Sequence, residues 1–524
     1  MKKLIALFIA IATLLTLCVG CASADPASSS SSASSAAVSS AASSEPETEE
    51  KPTLKYLAFN LAFDPNKDYM AGLLEDVTGY KVEYSMLPAE DADQKLAIEI
   101  SSGADYDILF LYPDQFQMLM SQGALLPLDD LLANYGNNIL EGNTELSWKT
   151  VQDTTTGVTY GIPHSRDYPS EADAIMCRLD FMKDAGITKA PTTTGELYDC
   201  LKILKQAYPD KVPLAAAPGN GNAGGTNNAF VFSKVLSSAF GITSDWMIVD
   251  GKVTSMVNHP KMKELLTYCK KLYSEKLLDP DFPINTTSSI NEKYSSGNAS
   301  MILSSRVANA SVVLPVMWEN GIKKEDCGFV LPLQGSDGTQ GWAVKHDNIQ
   351  VTCIPKNSKH AEDAVKWINK KMEPDNFVLT TIGVEGEHFK IEDGKYLPIY
   401  PAFSNYANAW WYICTTDQDK YFDMWQSRVR KDEANWFYFD EVNVTLESEN
   451  PDLFVDDPFS VMPSLPSYSK YTTSLNQLLA DAFLQIISGT KTVDDLDSVI
   501  ADWKNAGGAE VQTELEKWYS EFYG

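Results

Sequence analysis

Basic residues are scarce in this chain of 524 residues. Its 42 lysines and arginines face 71 aspartates and glutamates, so the formal net charge is −29. Nucleic-acid binding needs a basic surface that neutralises phosphates, and an acidic chain is a poor candidate for that class. An acidic body is also repelled by anionic lipid headgroups, so any attachment to a membrane needs a lipid or an apolar segment.

Histidines and the motifs of common enzymes are equally scarce. The five histidines, at positions 164, 259, 346, 360 and 388, show no H-E-x-x-H or H-x-H spacing, which disfavours a zinc hydrolase. No G-x-S-x-G elbow, P-loop or dinucleotide fingerprint after a strand occurs. Asp417, Asp419 and Asp423 could offer oxygens to Ca²⁺, but their loop lacks the glycine and terminal glutamate of an EF-hand. We therefore expect no cofactor and no resident metal, and interpret this loop as a solvated acidic one.

The eight cysteines are sparse and include no C-x-x-C pair. Two of them, Cys18 and Cys21, lie near the N-terminus, and the other six are isolated: Cys177, Cys200, Cys269, Cys327, Cys353 and Cys414. Disulfide scaffolds are typical of small exported domains dense in cysteine, and this chain is neither small nor dense. We predict mostly buried free thiols.

The N-terminus has the pattern of an export signal. Lys2 and Lys3 precede an uncharged, mostly apolar run at residues 4–20, which is shorter than the roughly 20 residues that a bilayer crossing needs. The end of this run, Leu17-Cys18-Val19-Gly20-Cys21, resembles the lipobox of bacterial lipoproteins, with Cys18 where that motif usually has leucine. The resemblance implies that residues 1–20 are a signal peptide and that Cys21 is acylated.

Residues 21–51 are predicted to be a flexible linker. Residues 22–44 contain 12 serines and 8 alanines, and an acidic stretch follows at 45–50. Such a segment buries too little apolar area to offset its conformational entropy. With a lipid on Cys21, it would tether the folded body to the extracytoplasmic face of the cell membrane.

Strand and helix patterns alternate beyond residue 51. Apolar or alternating runs predict strands at 53–59, 80–86 and 106–111, and helical periodicity predicts helices at 67–77, 92–101 and 115–121. This alternation predicts an α/β fold with a mainly parallel sheet and right-handed crossovers. With 44% hydrophobic residues, the chain can form two or three domains or one large two-lobed body.

Short motifs in a fixed order resemble the family 1 extracellular solute-binding proteins of ABC importers. The first lobe of that family is matched at 78–82 (TGYKV), 102–109 (SGADYDIL) and 123–128 (GALLPL), and the entry to its second lobe at 160–163 (YGIP), 176–187 (MCRLDFMKDAGI) and 191–197 (PTTTGEL). Further pieces match at 250–252, 272–281 and 296–301, and those at 382–386, 393–396 and 487–490 resemble a long lipoprotein subgroup. Cys177-Arg178 replaces the family's usual Tyr-Asn pair, so ligand contacts are not carried over there.

The resemblance implies a type II periplasmic-binding-protein-like fold with two α/β lobes, hinge crossovers and no enzymatic activity. Such lobes are discontinuous, and we place one at 52–163 with 303–355 and the other at 164–302 with 356–524. The lobes would close around a solute and present it to ABC permease subunits, which are the implied partners.

Aromatic residues are concentrated between positions 400 and 439. This segment has 13 aromatic residues in 40, although aromatics make up only 11% of the chain. Flat apolar rings with polar edges suit sugar rings, so we expect at least one of them to line a cleft, although each ring alone is more often part of a core. Trp410 and Trp411 are adjacent and should point in different directions, leaving one less buried.

Other candidate ligand contacts lie in loops and at strand ends. Tyr112 and Asp114 come just after the third predicted strand, where open α/β sheets place ligands. Residues 164–167 (HSRD) follow the first presumed crossover, and Arg166 could bind two hydroxyls or a carboxylate, or form an ion pair between the lobes. Asn220 lies in a glycine-rich loop at 218–225 that could close over a solute or be a solvated turn. The predicted ligand-binding residues are Tyr112, Asp114, Arg166, Asn220, Trp342, Trp410, Trp411 and Trp425.

The preferred hypothesis is a lipid-anchored, non-enzymatic receptor for a carbohydrate, most simply an oligosaccharide. One alternative is a receptor for a peptide or an organic anion, in which Arg166 would be indispensable. Another is a surface glycosidase or lyase, because the 71 acidic residues allow many carboxylate pairs whose separation the sequence does not reveal.

Overall fold

The computed structural model describes residues 51–165, 173–218, 234–304, 307–345, 348–430, 432–463 and 465–524. The predicted signal peptide, Cys21 and nearly all of the predicted linker therefore lie outside the described residues. Within the described ranges, no helix combines the length and the apolarity that a membrane span requires.

The strands are short, and most of them are buried. In chain order they are β1 (Leu54–Ala58), β2 (Val82–Met86), β3 (Ile108–Leu111), β4 (Gly161–Ser165), β5 (Ala174–Arg178), β6 (Val212–Ala215), β7 (Trp246–Val249), β8 (Lys252–Ser255), β9 (Ala299–Ser304), β10 (Cys327–Val330), β11 (Trp342–Val344), β12 (Asn348–Cys353), β13 (Phe389–Glu392), β14 (Lys395–Pro398) and β15 (Phe454–Asp456).

The helices surround these strands and dominate the C-terminal part of the chain. They are α1 (Tyr69–Thr78), α2 (Ala92–Ser101), α3 (Pro113–Ser121), α4 (Asp129–Tyr135), α5 (Asn137–Glu141), α6 (Glu145–Lys149), α7 (Leu179–Asp184), α8 (Thr194–Ala207), α9 (Lys234–Ser237), α10 (Met262–Ser274), α11 (Thr287–Ser295), α12 (Val307–Glu319), α13 (Ala361–Lys371), α14 (Pro374–Thr381), α15 (Gln418–Val429), α16 (Glu433–Phe439), α17 (Thr445–Glu449), α18 (Pro466–Ser488), α19 (Leu496–Trp503) and α20 (Ala509–Tyr523).

The first of two main sheets has the strand order β2-β1-β3-β12-β4. β1 pairs in parallel with both β2 and β3, whereas β12 is antiparallel to both β3 and β4. The four residues of β3 are all apolar and fully buried, as expected for a central strand that is covered on both faces. β1, β3 and β4 therefore run in the same direction, and their carboxyl ends share one edge of the sheet.

The second main sheet has the order β10-β5-β9-β6. β5 is antiparallel to both β10 and β9, and only β9 and β6 pair in parallel. The prediction of a mainly parallel sheet therefore holds for the first sheet, where β1 to β4 share one direction and β12 opposes them, and is wrong for the second, where two of the three pairings are antiparallel. The pattern of residues 53–121 correctly indicated parallel pairing of β1 with its neighbours, but strands from distant parts of the chain enter both sheets in the antiparallel sense.

The helices and strands predicted for the first 70 residues of this unit are close to those observed. Each predicted element between residues 53 and 121 is present, with ends that differ by at most two residues. Helix α1 shows why these ends are readable from sequence: the Asp68 side chain accepts a hydrogen bond from Met70 N at 3.0 Å, and Gly79 ends the helix with a φ of 71°.

The six cysteines of the described residues are all buried and unbridged. This confirms the prediction of buried free thiols. Burial raises the pKa of the Cys200 thiol to about 12 and that of Cys327 to about 11, so both are protonated at neutral pH.

The lobe boundaries expected from the sequence stay a prediction, and the strand pairing bears on them in two places. β10, which lies within 303–355, pairs in the second sheet, whereas β12 from the same segment pairs in the first. Helix α13, which lies within 356–524, packs against α1 and α4.

Candidate functional site

The carboxyl edge of the first sheet is the place where the predicted site residues converge. Phe59 directly follows β1, Tyr112 directly follows β3, and Ser165 ends β4. In open α/β sheets, ligands bind in the crevice outside the carboxyl ends of the strands. This edge is therefore the first place to look for a site.

Tyr112 is held in position by the start of helix α3. Pro113 occupies the first turn of the helix, where a missing N–H costs nothing, and the Gln115 side chain accepts a hydrogen bond from Tyr112 N at 3.2 Å. Gln115 Nε2 in turn donates to Asp93 at 2.8 Å. The backbone of Tyr112 is thus fixed while its side chain is 46% exposed, and Asp114 is exposed on the same turn.

Six aromatic rings meet at this edge, and we refer to them as the edge cluster: Phe59, Phe110, Tyr112, His164, Trp410 and Trp411. The Phe59 ring lies 4.8 Å from Tyr112, 5.5 Å from Trp411 and 5.8 Å from Phe110 between centroids. His164 stacks on Phe110 at 5.5 Å and lies 4.6 Å from Trp410. Residues of β3 and β4, the residues that follow β1 and β3, and the 409–412 turn are thereby packed into one unit.

Burial is graded across the edge cluster. Phe110 and His164 are fully buried and Trp410 is nearly so, whereas Trp411 is half-buried and Tyr112 is largely exposed. Partial burial raises the pKa of Tyr112, so its hydroxyl stays protonated and can donate a hydrogen bond. The accessible surface therefore belongs to the indole of Trp411 and the phenol of Tyr112, which pack against the buried rings of Phe59 and Trp410.

The segment after Trp411 is tied to β4 and to the helix layer. Thr415 Oγ1 donates to Pro163 O at 2.8 Å, and Thr416 Oγ1 donates to Ser165 O at 3.2 Å. From the other side, the buried Lys371 Nζ donates to Tyr412 O at 2.7 Å and to Cys414 Sγ at 3.1 Å. Burial lowers the pKa of Lys371. These bonds fix the position from which the two tryptophans project.

The structure brings together three of the residues predicted to bind ligand, namely Tyr112, Trp410 and Trp411. The planes of Trp410 and Trp411 are 79° apart, and Trp411 is the more exposed. This confirms the expectation that adjacent tryptophans would differ in direction and burial.

The other predicted contacts are placed differently. Trp342 lies in β11 and is buried, with Lys234 Nζ 5.8 Å from its ring centroid, and Trp425 lies on α15 with its ring 5.7 Å from that of Phe439. Arg166 and Asn220 lie outside the described residues, as does most of the 218–225 loop. Their roles stay predictions.

The segment 164–167 needs a correction at its first two residues. His164 and Ser165 do not form a loop at the cleft; they end β4 and are fully buried. His164 supports the edge cluster from below instead. Phe59 and Phe110 are not among the predicted site residues, because each lies in a predicted strand, where an aromatic residue is expected to be buried in the core. The signal that could have identified Phe59 is its place directly after a buried strand.

Among the described residues, no group of three His, Cys, Asp or Glu side chains is arranged to hold a metal ion. The groups that the edge offers to a ligand are the rings of Tyr112 and Trp411 and the exposed side chain of Asp114.

The fold matches that of known binding proteins. The S. pneumoniae ABC-transporter substrate binding protein FusA, solved in complex with kestose, superposes with a TM-score of 0.63 at 18% identity and covers 90% of this chain and 99% of that one. The architecture is that of the type II periplasmic binding proteins, which confirms the predicted fold class.

Three relatives align with between half and nine-tenths of the chain. A protein of Niallia circulans described as uncharacterized, from the butB 5' region, is 36% identical over 261 residues, covering 49% of this chain and 98% of its own length. Two proteins of Bacillus subtilis strain 168, Lipoprotein LipO and the polygalacturonan/rhamnogalacturonan-binding protein YtcQ, are each 23% identical over 494 residues. Each alignment covers 90% of this chain and 92% of the relative.

The family model of the bacterial extracellular solute-binding proteins matches residues 48–376, which include β1 to β12 and therefore every strand of both main sheets. The chain belongs to the bacterial extracellular solute-binding protein family.

Proposed function

We propose that this chain is a lipid-anchored receptor that captures an oligosaccharide at the edge cluster and delivers it to an ABC importer. The observation that carries the proposal is the pair of an exposed Tyr112 and a half-buried Trp411, both packed against the buried ring of Phe59 at the carboxyl edge of a sheet. An indole and a phenol offer apolar faces for the C–H side of a sugar ring and polar edges for its hydroxyls.

The names of two similar proteins support a carbohydrate as the ligand. YtcQ is described as binding polygalacturonan and rhamnogalacturonan, and FusA was solved with kestose. These three ligands differ in charge and linkage, so the similarity favours the class of ligand and leaves the individual sugar open.

Capture would require two lobes that close on the sugar. A ligand drives closure only if it contacts both lobes better in the closed state. We propose that the first sheet, with β12 and α13, forms the core of one lobe and that the second sheet, with β10, forms the core of the other. This proposal keeps the boundaries expected from the sequence with two exceptions. Strand pairing favours assigning β10 to the second lobe, and helix packing favours assigning α13 to the first.

The anchor is proposed from the N-terminal pattern, with signal peptide 1–20 and a lipid on Cys21, and a lipoprotein among the relatives supports it. Cells that express the native chain should incorporate labelled palmitate into it. Cys21→Ala should abolish the label and move the protein out of the membrane fraction. Cys18→Ala, three residues away, is the matched control and should stay labelled. If Cys18→Ala loses the label and Cys21→Ala keeps it, the assignment of the lipid to Cys21 is refuted.

The ligand class is tested by thermal unfolding of the full chain with neutral and acidic oligosaccharides, amino acids and short peptides. A ligand at about 100 times its dissociation constant adds about 2.7 kcal/mol to the free energy of unfolding, which raises Tm by a few degrees. A shift with one sugar class and recovery of the sugar intact are the expected results. A shift with peptides or organic anions alone would refute the carbohydrate assignment, and cleavage of the sugar would make the chain an enzyme.

A further inference from the structure

The loops at the carboxyl edge of the first sheet are rich in acids. Six acids and one base occur among the 21 residues that follow β1, β2 and β3, at 59–68, 87–93 and 112–115. The whole chain has 71 acids in 524 residues, which is less than half that density. The one base, Lys67, is paired with Asp64 at 2.7 Å, so it leaves no uncompensated positive charge in these loops.

Each of the three helices that start at this edge begins with a carboxylate. Asp68 is the N-cap of α1, and its side chain accepts a backbone hydrogen bond there. Asp91 directly precedes α2, and Asp93 lies in its first turn. Asp114 lies in the first turn of α3, where Pro113 has no N–H to donate. The N-terminus of a helix normally favours an anion, but here the chain's own carboxylates already occupy that field.

Two of these carboxylates lie beside Tyr112 in the edge cluster. Asp114 is exposed two residues further along the chain, and residues two apart in a helix have Cα atoms about 5–6 Å apart. Asp93 accepts a hydrogen bond of 2.8 Å from Gln115, which in turn accepts one of 3.2 Å from Tyr112 N. These two bonds and the amide between them place the Asp93 carboxylate within about 8 Å of that nitrogen.

The charge of a ligand on Tyr112 therefore matters for its binding. A uronate held there brings its carboxylate close to those of Asp114 and Asp93, and like charges repel more strongly where a bound ligand excludes water. A neutral sugar meets no such repulsion, and ionised carboxylates accept hydrogen bonds from its hydroxyls.

We infer that this receptor selects neutral oligosaccharides over acidic ones, and that Asp114 determines the selection by repelling the carboxylate of a uronate held on Tyr112. The presence of a sugar at the edge cluster rests on the proposed function, whereas the choice of a neutral sugar rests on the charges of this edge.

Calorimetric titration of the full chain with matched sugars tests the selection. Each pair has the same linkage and length and differs only at the sixth carbon: galactotriose with trigalacturonate, mannotriose with trimannuronate, and cellotriose with its acid form. EDTA is present throughout, so that no divalent cation bridges carboxylates. Within a pair that binds, the neutral member should bind about tenfold more tightly or better. Raising the salt from about 20 to about 500 mM should narrow this difference, because salt screens the repulsion.

Asp114→Asn removes the charge and keeps the size of the side chain. The ratio of the acidic to the neutral dissociation constant should fall about fourfold in this variant. An acidic sugar that binds too weakly for direct titration is measured by displacement of its neutral partner. Asp105→Asn is the matched control, because Asp105 is an exposed aspartate that precedes β3 at the opposite edge of the sheet, and the ratio should stay unchanged.

Failure of the selection and failure of the proposed function give different results. Equal or tighter binding of the acidic member overturns the selection and leaves the capture of a sugar standing. If none of the six sugars binds, the sugar that the thermal panel identifies decides: a neutral one supports the selection and an acidic one overturns it. A thermal panel in which no sugar binds refutes the proposed function and the selection with it. An unchanged ratio in Asp114→Asn overturns the role of Asp114.

Discussion

Replacement of Trp411 by alanine tests the edge cluster most directly. Trp411 is half-buried against Phe59 and Trp410, so only part of its indole surface remains for a sugar. A tryptophan side chain buries about 150–250 Å² in full, and because Trp411 is more than half buried we take about 60 Å² as the share a ligand can cover. At about 25 cal/mol per Å², the loss is about 1.5 kcal/mol, which corresponds to a dissociation constant raised about 12-fold.

The assay is isothermal titration calorimetry of the full chain with the sugar that gives the largest thermal shift. Trp411→Phe keeps a smaller flat ring, so its dissociation constant should rise only about threefold. Trp148→Ala is the matched control, because Trp148 is a half-buried tryptophan on α6 outside the edge cluster, and its affinity should stay unchanged.

A loss of binding through unfolding must be separated from the loss of a contact. The Tm of each variant without sugar shows whether Trp411→Ala is folded under the conditions of the titration. If Trp411→Ala is folded and binds within threefold of the native chain, the sugar does not stack on Trp411 and the assignment of the edge cluster is refuted.

Three further predictions concern stability and the buried thiols. Asp180→Ala removes the carboxylate that binds the buried Arg178 at 2.8 and 2.5 Å, so the free energy of unfolding in urea should fall by about 3 kcal/mol; the exposed Asp199→Ala should change it little. The six described cysteines should resist a thiol reagent at pH 8 and react once the chain is unfolded, and labelling of a native thiol would contradict their burial. Because Cys200 and Cys327 hold their protons to about pH 12 and 11 when folded, and unfolded thiols ionise near pH 9, unfolding releases protons above pH 9 and stability should decline from there as pH rises. Replacing both by alanine should make that decline less steep, and Cys177, Cys269 and Cys353, whose pKa burial also raises, should account for part of what remains.

Local patterns in the sequence were sufficient for the first half of the first sheet. Residues 53–121 carry strand and helix periods with clear end signals, such as Asp68 before α1 and Gly79 after it. The insertion of β12 between β3 and β4 is not visible in this way, because β12 lies more than 180 residues further along the chain. Pairing of this kind depends on the assembled core rather than on any local period.

The site was predictable to a similar extent. Tyr112 was identified because it follows an apolar strand, and Trp410 and Trp411 because the aromatic density around them is high. The buried support for these rings, including Phe110 and His164, could not be inferred, because an aromatic residue within a strand reads as ordinary core.

The arrangement of the 409–418 segment connects ligand contact to the place where the chain leaves the first sheet. Trp410 and Trp411 lie at one end of this segment, and at the other end Thr416 Oγ1 and Gln418 Nε2 both donate to Ser165 O, at 3.2 and 3.1 Å. Ser165 is the last residue of β4, and the next described strand, β5, belongs to the second sheet. A sugar held on Trp411 therefore acts on a segment that is hydrogen-bonded to the connection between the sheets. For closure to be driven by the ligand, binding must favour one arrangement of that connection over another. Contact with Trp411 reaches the connection through this bonded segment and through the rings of Trp410 and His164, which lie 4.6 Å apart beside Ser165.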